Sequence, residues 1–325
     1  MRLMRWANYD ALGVRSNMLG CKSAMSLTFN RDFEAPYGRA VAVSPLIRRV
    51  LAKNPGAFTF KGTSTAIVGT GRVAVIDPGP DDADHLAALR EALAGETVTH
   101  ILVTHTHRDH SPAARALKEW TGAKTYGFGP HGAGKAEEGI VVEEGGDRDF
   151  LPDIAVRDGD VLEGRGFAFE CVHTPGHTSN HICFALKEEK ALFSGDHVMG
   201  WSTSVVAPPD GDMADYLASL RRLLARDDDI YWPAHGAAIR EPKRVVADYL
   251  SHREEREAQI LSALRAGVTT IPDLVTRIYA GLDSRLFAAA SLSVLAHLVQ
   301  LVREGRVAAD GPADLRARYH VTHLR

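Results

Sequence analysis

The stretch Thr104-His105-Thr106-His107-Arg108-Asp109-His110 constrains this chain more than any other. Three imidazoles and one carboxylate crowd into consecutive positions directly behind the apolar run Ile101-Leu102-Val103. Imidazole is a preferred ligand of zinc and its neighbours in the first transition row. The pattern predicts a strand whose end forms part of a metal-binding rim, with the rest of the coordination sphere supplied from elsewhere in the chain.

Bulk composition sets few further limits. With 325 residues, 45% hydrophobic and 24% charged, the chain has an ordinary globular balance and room for one large domain, or one large and one small. A net charge of −3 advertises no nucleic-acid or anionic-membrane partner. Cys21, Cys171 and Cys183 make no disulfide framework and fit a reducing, cytoplasmic setting. Cys171 and Cys183 lie in apolar runs flanking His177 and read as small buried hydrophobes in strands rather than as ligands. No run approaches the ~20 apolar residues of a membrane span, so no membrane partner is expected. Residues 1–24 lack clear periodicity and read as an N-terminal extension, either disordered or an artefact of start assignment upstream of Met25.

Further along, Phe58-Thr59-Phe60 and Ala66-Ile67-Val68 flank a Gly-Thr-Ser-Thr turn. Val73-Ala74-Val75-Ile76 follows Gly69-Thr70-Gly71, and together these predict opening β-hairpins. Leu86, Leu89 and Leu93 predict a helix over 84–93, and 98–103 reads as a buried strand. Ser111 suits the N-cap and Pro112 the first turn of a helix over 113–120. Strands are predicted over 167–172, 181–186, 191–193 and 230–232, with an amphipathic helix over 213–224. After Glu241-Pro242 the character changes: helical patterns run over 243–266, 271–279 and 285–304, and Gly305-Arg306-Val307-Ala308-Ala309 ends them. Three helices and a small β-element outline a winged-helix module, which divides the chain into 1–24, 25–242 and 243–325. On the first of these helices His252, Arg253, Glu254 and Arg256 read as a solvated charged face.

Four more residues share the placement of the histidine cluster. His177 in Thr174-Pro175-Gly176-His177-Thr178, Asp196 in Phe193-Ser194-Gly195-Asp196-His197 and His235 in Trp232-Pro233-Ala234-His235-Gly236 each follow a predicted strand, in a turn with Gly or Pro. Asp77 in Ile76-Asp77-Pro78-Gly79 does the same. Rigid strands that deliver side chains to one rim of a sheet are how α/β proteins build sites. His105, His107 and His177 can supply one metal; Asp109, His110 and His235 can supply a second. Asp196 is the natural bridge, because a carboxylate has two oxygens. Three protein ligands and a bridge leave open positions, which is the mark of a catalytic site. A water shared between two ions has its pKa lowered toward neutrality and becomes a nucleophile.

His105-Thr-His107-Arg-Asp109-His110, followed by His177, Asp196 and His235, resembles the HxHxDH signature of the metallo-β-lactamase superfamily over roughly residues 55–240. Within it, the segments around His177, Asp196 and His235, with Tyr249-Leu250-Ser251-His252-Arg253-Glu254-Glu255-Arg256-Glu257, look like the lactamase-beta-2-like branch, which carries a C-terminal winged-helix-like domain. The resemblance implies a four-layer αββα sandwich and the two-metal assignment, with zinc expected at two per chain and iron or manganese also accepted by mixed His/carboxylate sites.

Departures from other branches narrow the chemistry. Antibiotic-hydrolysing members commonly place cysteine where Asp196 stands. Flavodiiron proteins have a carboxylate where His107 stands. The interval between Asp196 and His235 is too short for the domain that β-CASP nucleases insert there, and the C-terminal pattern differs from the helical domain of glyoxalase II. The expected activity is hydrolysis of a thioester, ester or related small acyl substrate; the alternative is endoribonuclease or phosphodiesterase action on RNA. A non-catalytic binding protein working through its winged helix is a third class, marked by lost ligands, and no ligand is lost here. Asp109 and His181 are the expected catalytic residues, His181 as a group that orients substrate or protonates a leaving group. Asp77 is expected to support the cluster by hydrogen bonds, and Trp201, Thr203 and Ser204 to line the cleft.

Overall fold

Strands that are apolar on both faces cannot stand at a surface, and this chain has two sets of them. The structure is a computed structural model that describes residues 27–132 and 145–322; the extension expected over 1–24 lies outside the described residues. The first sheet takes β1 (Ala40–Ala42), β2 (Ile47–Leu51), β3 (Ser64–Thr70), β4 (Arg72–Ile76), β5 (Thr97–Leu102), β6 (Lys124–Gly127) and β7 (Ile154–Ala155) in that spatial order. The second takes β8 (Val161–Gly164), β9 (Phe167–His173), β10 (Ile182–Leu186), β11 (Ala191–Gly195) and β12 (Ile230–Pro233), also in sequence order across the sheet.

Side-chain alternation sorts each strand between two cores. Ala66 and Val68 of β3 and Ala74 and Ile76 of β4 face Phe169, Cys171, Ile182, Phe184 and Phe193 of the second sheet. Their neighbours Ile67, Val73 and Val75 point the other way, onto Leu89 of helix α1 (Ala83–Ala92) and Leu117 of α2 (Ala113–Thr121). Helix α3 (Met213–Leu224) covers the outer side of the second sheet: Tyr216, Leu220 and Leu223 are buried, and the Tyr231 hydroxyl on β12 reaches the Leu223 carbonyl. The layers are thus α, β, β, α. Cys171 and Cys183 are fully buried in β9 and β10, and burial pushes both thiols up to about 12.

Two local expectations are corrected. Phe58-Thr59-Phe60 forms no strand; it belongs to a turn between β2 and β3 in which Phe60 adopts φ +55°. Ser111 does not cap α2, because its hydroxyl donates to Asp147 Oδ2 at 2.7 Å, and Pro112 stands at the cap position.

The chain divides into two compact units that meet between Leu250 and Ser251. That point lies inside helix α4 (Pro242–Arg265), nine residues into it. The second unit holds the rest of α4, α5 (Ile271–Ile278), α6 (Phe287–Arg303) and a hairpin of β13 (Val307–Ala309) with β14 (Tyr319–Val321). Thr270 caps α5 through Asp273 N–H, with Pro272 in its first turn. The charged face expected on α4 is corrected here: Glu254 and Glu255 are exposed, whereas Arg253 and Arg256 are buried. The Arg256 guanidinium lies 4.2 Å from the Tyr279 ring centroid and donates to Gln259 Oε1 at 2.7 Å. Spacing i, i+3 put both arginines on the helix's inner face, where stem methylenes and an aromatic ring serve as apolar partners.

Phe184 is fully buried at the centre of the inter-sheet core. Phe184→Ala is expected to cost about 3–5 kcal/mol, read as a lowered urea midpoint at unchanged slope. A cost below about 1 kcal/mol would remove that core from the account of stability.

Candidate metal centre

One rim of the sandwich collects every candidate metal ligand singled out in the sequence. β4 runs parallel to β5, and β11 parallel to β12, so their C-terminal ends share an edge. Asp77 follows β4, the loop 104–110 follows β5, Asp196 follows β11 and His235 follows β12, while His177 sits in the turn between β9 and β10. Backbone bonds stitch the two sheets at this edge: Ile182 N–H donates to the Thr104 carbonyl and Ser64 N–H to the Ala234 carbonyl, both at 2.8 Å.

The side chains converge as two groups. In the first, ligand-type atoms of His105, His107, His177 and Asp196 all lie within 4.8 Å of one another; in the second, those of Asp109, His110 and His235 do. His107 Nδ1 is 3.0 Å from His105 Nε2 and 3.2 Å from His177 Nε2. Asp109 Oδ2 is 3.1 Å from His110 Nε2 and 3.2 Å from His235 Nε2. Asp196 Oδ2 reaches both groups, at 3.3 Å from His235 Nε2, 3.5 Å from His110 Nε2 and 4.0 Å from His177 Nε2.

Three of the five histidines are aimed from behind in the way ligand histidines are. His110 Nδ1 lies 3.1 Å from Asp77 Oδ2, His177 Nδ1 2.7 Å from the Val205 carbonyl and His235 Nδ1 3.2 Å from the Gly62 carbonyl. Asp77 also accepts from the Thr104 N–H and hydroxyl, at 2.8 Å each. Thr63 donates its hydroxyl to Asp109 Oδ2 at 2.9 Å. Sequence reasoning missed Gly62, Thr63 and Val205. A carbonyl partner leaves no mark on residue type, and one threonine before a strand is too common to stand out. Asn180 was missed as well; its amide ties the His177 turn to the histidine loop through Thr106 Oγ1 at 2.9 Å.

His181 is placed differently from its expected role. It is fully buried, with Nδ1 2.8 Å from Thr174 Oγ1 and Nε2 accepting the Asp196 N–H at 3.3 Å. Both ring nitrogens are committed inside the protein, so the side chain positions the Asp196 peptide. Gly195 permits that contact: its φ is +50°, and a Cβ there would come within 2.6 Å of His181 Nε2 and 2.8 Å of Thr104 Oγ1. Trp201 lies against the His235 turn, at 3.1 Å from the position of a Cβ on Gly236, and stacks on Phe60 with centroids 4.9 Å apart. Thr203 is half-buried in the same loop, and Ser204 donates to the Asp196 carbonyl at 2.5 Å.

Electrostatics divide the two groups. Burial, then the neighbouring imidazoles, push His105 and His107 well below the ordinary histidine range. Burial opposes charge on His235 too, but Asp196 and Asp109 outweigh it and raise this imidazole to about 10. The same two carboxylates raise His110. Against its own burial, Asp109 is held down by His110 and His235.

Residues 58–235 match the metallo-beta-lactamase superfamily, over more than half of the chain. The chain belongs to that superfamily. Residues 270–314 match the beta-lactamase associated winged helix domain. Lactamase-like protein adaB of Aspergillus niger is 30% identical over 86% of this chain and 87% of its own length. An atrochrysone carboxyl ACP thioesterase of Claviceps purpurea is 33% identical over 73% of each. A beta-lactamase domain protein from Burkholderia ambifaria shares the fold with a TM-score of 0.75 at 20% identity, covering 90% of this chain and 96% of its own. The site above is therefore that of a superfamily hydrolase, a fold that implies divalent metal binding.

Proton occupancy separates the two groups in a measurable way. Asp196 and Asp109 raise His235 and His110 and so favour their protonated forms, and a cation bound there would have to displace those protons. Affinity at the Asp109/His110/His235 group is expected to rise with pH, by roughly tenfold per pH unit for each proton displaced. The neutral His105/His107/His177 group should respond far less. Chelator competition at pH 6 and pH 8 resolves the two equivalents, and parallel pH dependence of both would contradict this division.

Proposed function

We propose that this superfamily hydrolase is a dinuclear, zinc-dependent thioesterase that cleaves small acyl thioesters, including those carried on an acyl carrier protein. The observation that carries the dinuclear part is the position of Asp196, whose Oδ2 stands within 4.0 Å of nitrogens from both ligand groups. The residues fit the ions they would hold. Asp196 Oδ1 is buried without a hydrogen-bond partner, and a cation would satisfy it. His105, His107 and His177 would hold one ion, Asp109, His110 and His235 the other, and Asp196 both. A histidine-rich donor set favours zinc. When bound, the pair supplies a water of lowered pKa and polarises the acyl carbonyl.

The protein's own residues prepare that chemistry. Asp77, Val205 and Gly62 fix the rings from behind, and Thr63 fixes Asp109. Burial of the cluster keeps its local dielectric low, which strengthens every charge interaction made there. The thioester reading rests on two supports. Relatives include proteins named as acyl carrier protein thioesterases. In addition, His181, the expected proton donor, has both nitrogens engaged. A thiol ionises near pH 8.5, so a thiolate departs without the protonation that an alkoxide needs. A site with its buried histidine occupied elsewhere suits such a leaving group.

The test is a panel of acyl thioesters, oxygen esters, phosphodiesters and short RNAs, with metal content measured. Thioesters should turn over fastest at two metals per chain. Asp109→Ala should lose one metal equivalent and more activity than the roughly 10–100-fold that outer-sphere changes cost. Full activity after thorough demetallation, or RNA cleavage that disappears in the same variant while thioesters stay inert, would overturn the reading.

A further inference from the structure

A cavity of about 30 Å³ lies in the inter-sheet core immediately beneath the candidate metal rim. Ala66, Ile76 and Phe193 form its apolar wall, and Asp77, Thr104 and Gly195 its rim side. Three other side chains lining it carry buried polar atoms with no hydrogen-bond partner: Arg49 Nε, Ser64 Oγ and Trp232 Nε1. Ser64 is nine-tenths buried. Burial lowers the Arg49 guanidinium. Its outer side packs on the Phe33 ring, with the guanidinium carbon 4.6 Å from the centroid.

Orphaned donors around an apolar void are costly, at about 1–3 kcal/mol each. A cavity of this size has room for one or two waters, each of which takes two to four polar partners. Water accepts from the Arg49, Trp232 and Ser64 donors, and its own hydrogens then need acceptors. Asp77, the residue that aims His110 and holds the Thr104 N–H, lines the same cavity and is the acidic residue among its lining. A halide would meet the donors but would stand against the Asp77 charge, so water is the better occupant.

We propose that Arg49, Ser64 and Trp232 hold ordered water in this cavity and thereby link Arg49 to Asp77, making Arg49 a positioning residue for the metal that His110 binds. This rests on the ligand assignment proposed above. The Arg49 charge balances the buried Asp77 carboxylate through water, so that Asp77 stays fixed on His110 Nδ1 while His110 Nε2 faces the ion. Neutral replacement of Arg49 leaves Asp77 without that balance and loosens the ring it aims. The effect falls mainly on one metal of the two, because Asp77 contacts His110 directly and reaches His105 of the other group only through Thr104 Oγ1.

Stepwise zinc affinities of wild type, Arg49→Met, Arg49→Lys, Trp232→Phe and Asp77→Asn, measured by chelator competition, test the idea. Circular dichroism confirms that each variant is folded. Arg49→Met should weaken the Asp109/His110/His235 equivalent by about tenfold, the lower end of outer-sphere effects, and the other equivalent far less. Arg49→Lys should recover most of the loss, and Trp232→Phe should fall between. If Asp77→Asn weakens that equivalent and Arg49→Met does not, Arg49 plays no part and this proposal fails while the proposed function stands. If Arg49→Met weakens both equivalents alike, its role is general packing and the proposal also fails. A wild type that takes up no zinc would overturn the proposed function itself.

Discussion

The interaction on which the rest depends is the reach of one carboxylate oxygen, Asp196 Oδ2, to nitrogens of both histidine groups. Without it the rim would hold two unrelated clusters. With it, three strand ends and one turn are held to a common point. The sandwich makes this possible because parallel pairs β4–β5 and β11–β12 end on the same edge and the two sheets are bonded to each other there. The local backbone serves the same end. Gly195 turns at positive φ because His181 and Thr104 occupy the space a side chain would need. His181 in turn holds the Asp196 peptide.

Much of this could be read from residue types. Ligand histidines and carboxylates are chemically distinctive and stand at the ends of apolar runs, so the seven candidates at the rim were visible as a set. Helix α3 could be bounded to the residue, since Leu217, Leu220 and Leu224 keep a clean period. What could not be read is where a residue's identity carries no information about its partner. The carbonyls of Gly62 and Val205 aim two of the histidines, and any residue has a carbonyl. Phe58-Thr59-Phe60 has strand composition, yet the chain must turn there to bring Gly62 and Thr63 under the site, and tertiary demand overrode propensity. Arg253 and Arg256 misled in the opposite direction. Charge suggested solvent, but a guanidinium on an aromatic face can be buried where an ammonium could not.

Collecting so many like groups at one buried edge opposes folding. Imidazole nitrogens 3.0–3.2 Å apart cannot all hydrogen-bond to one another, and burial strips them of water. The protein meets this in two ways. The cores on both faces of the first sheet, with Phe169 and Phe184 on one side and Leu89 and Leu117 on the other, supply stability away from the rim. At the rim itself, Asp109 and Asp196 raise His110 and His235, so in the metal-free protein protons stand in for cations. The arrangement is therefore tolerable before metal binds and is neutral enough to fold. It is also biased, because the three-histidine group has no carboxylate of its own apart from the shared Asp196.

That bias bears on how the site fills. A group of neutral imidazoles accepts a cation without first losing a proton, whereas the Asp109/His110/His235 group exchanges protons for its ion. On the proposed ligand assignment, a first cation would meet least opposition among His105, His107 and His177. Asp196 Oδ2 stands 4.0 Å from His177 Nε2 and 3.3–3.5 Å from the His235 and His110 Nε2 atoms. This one side chain would therefore couple proton release in the second group to occupancy of the first.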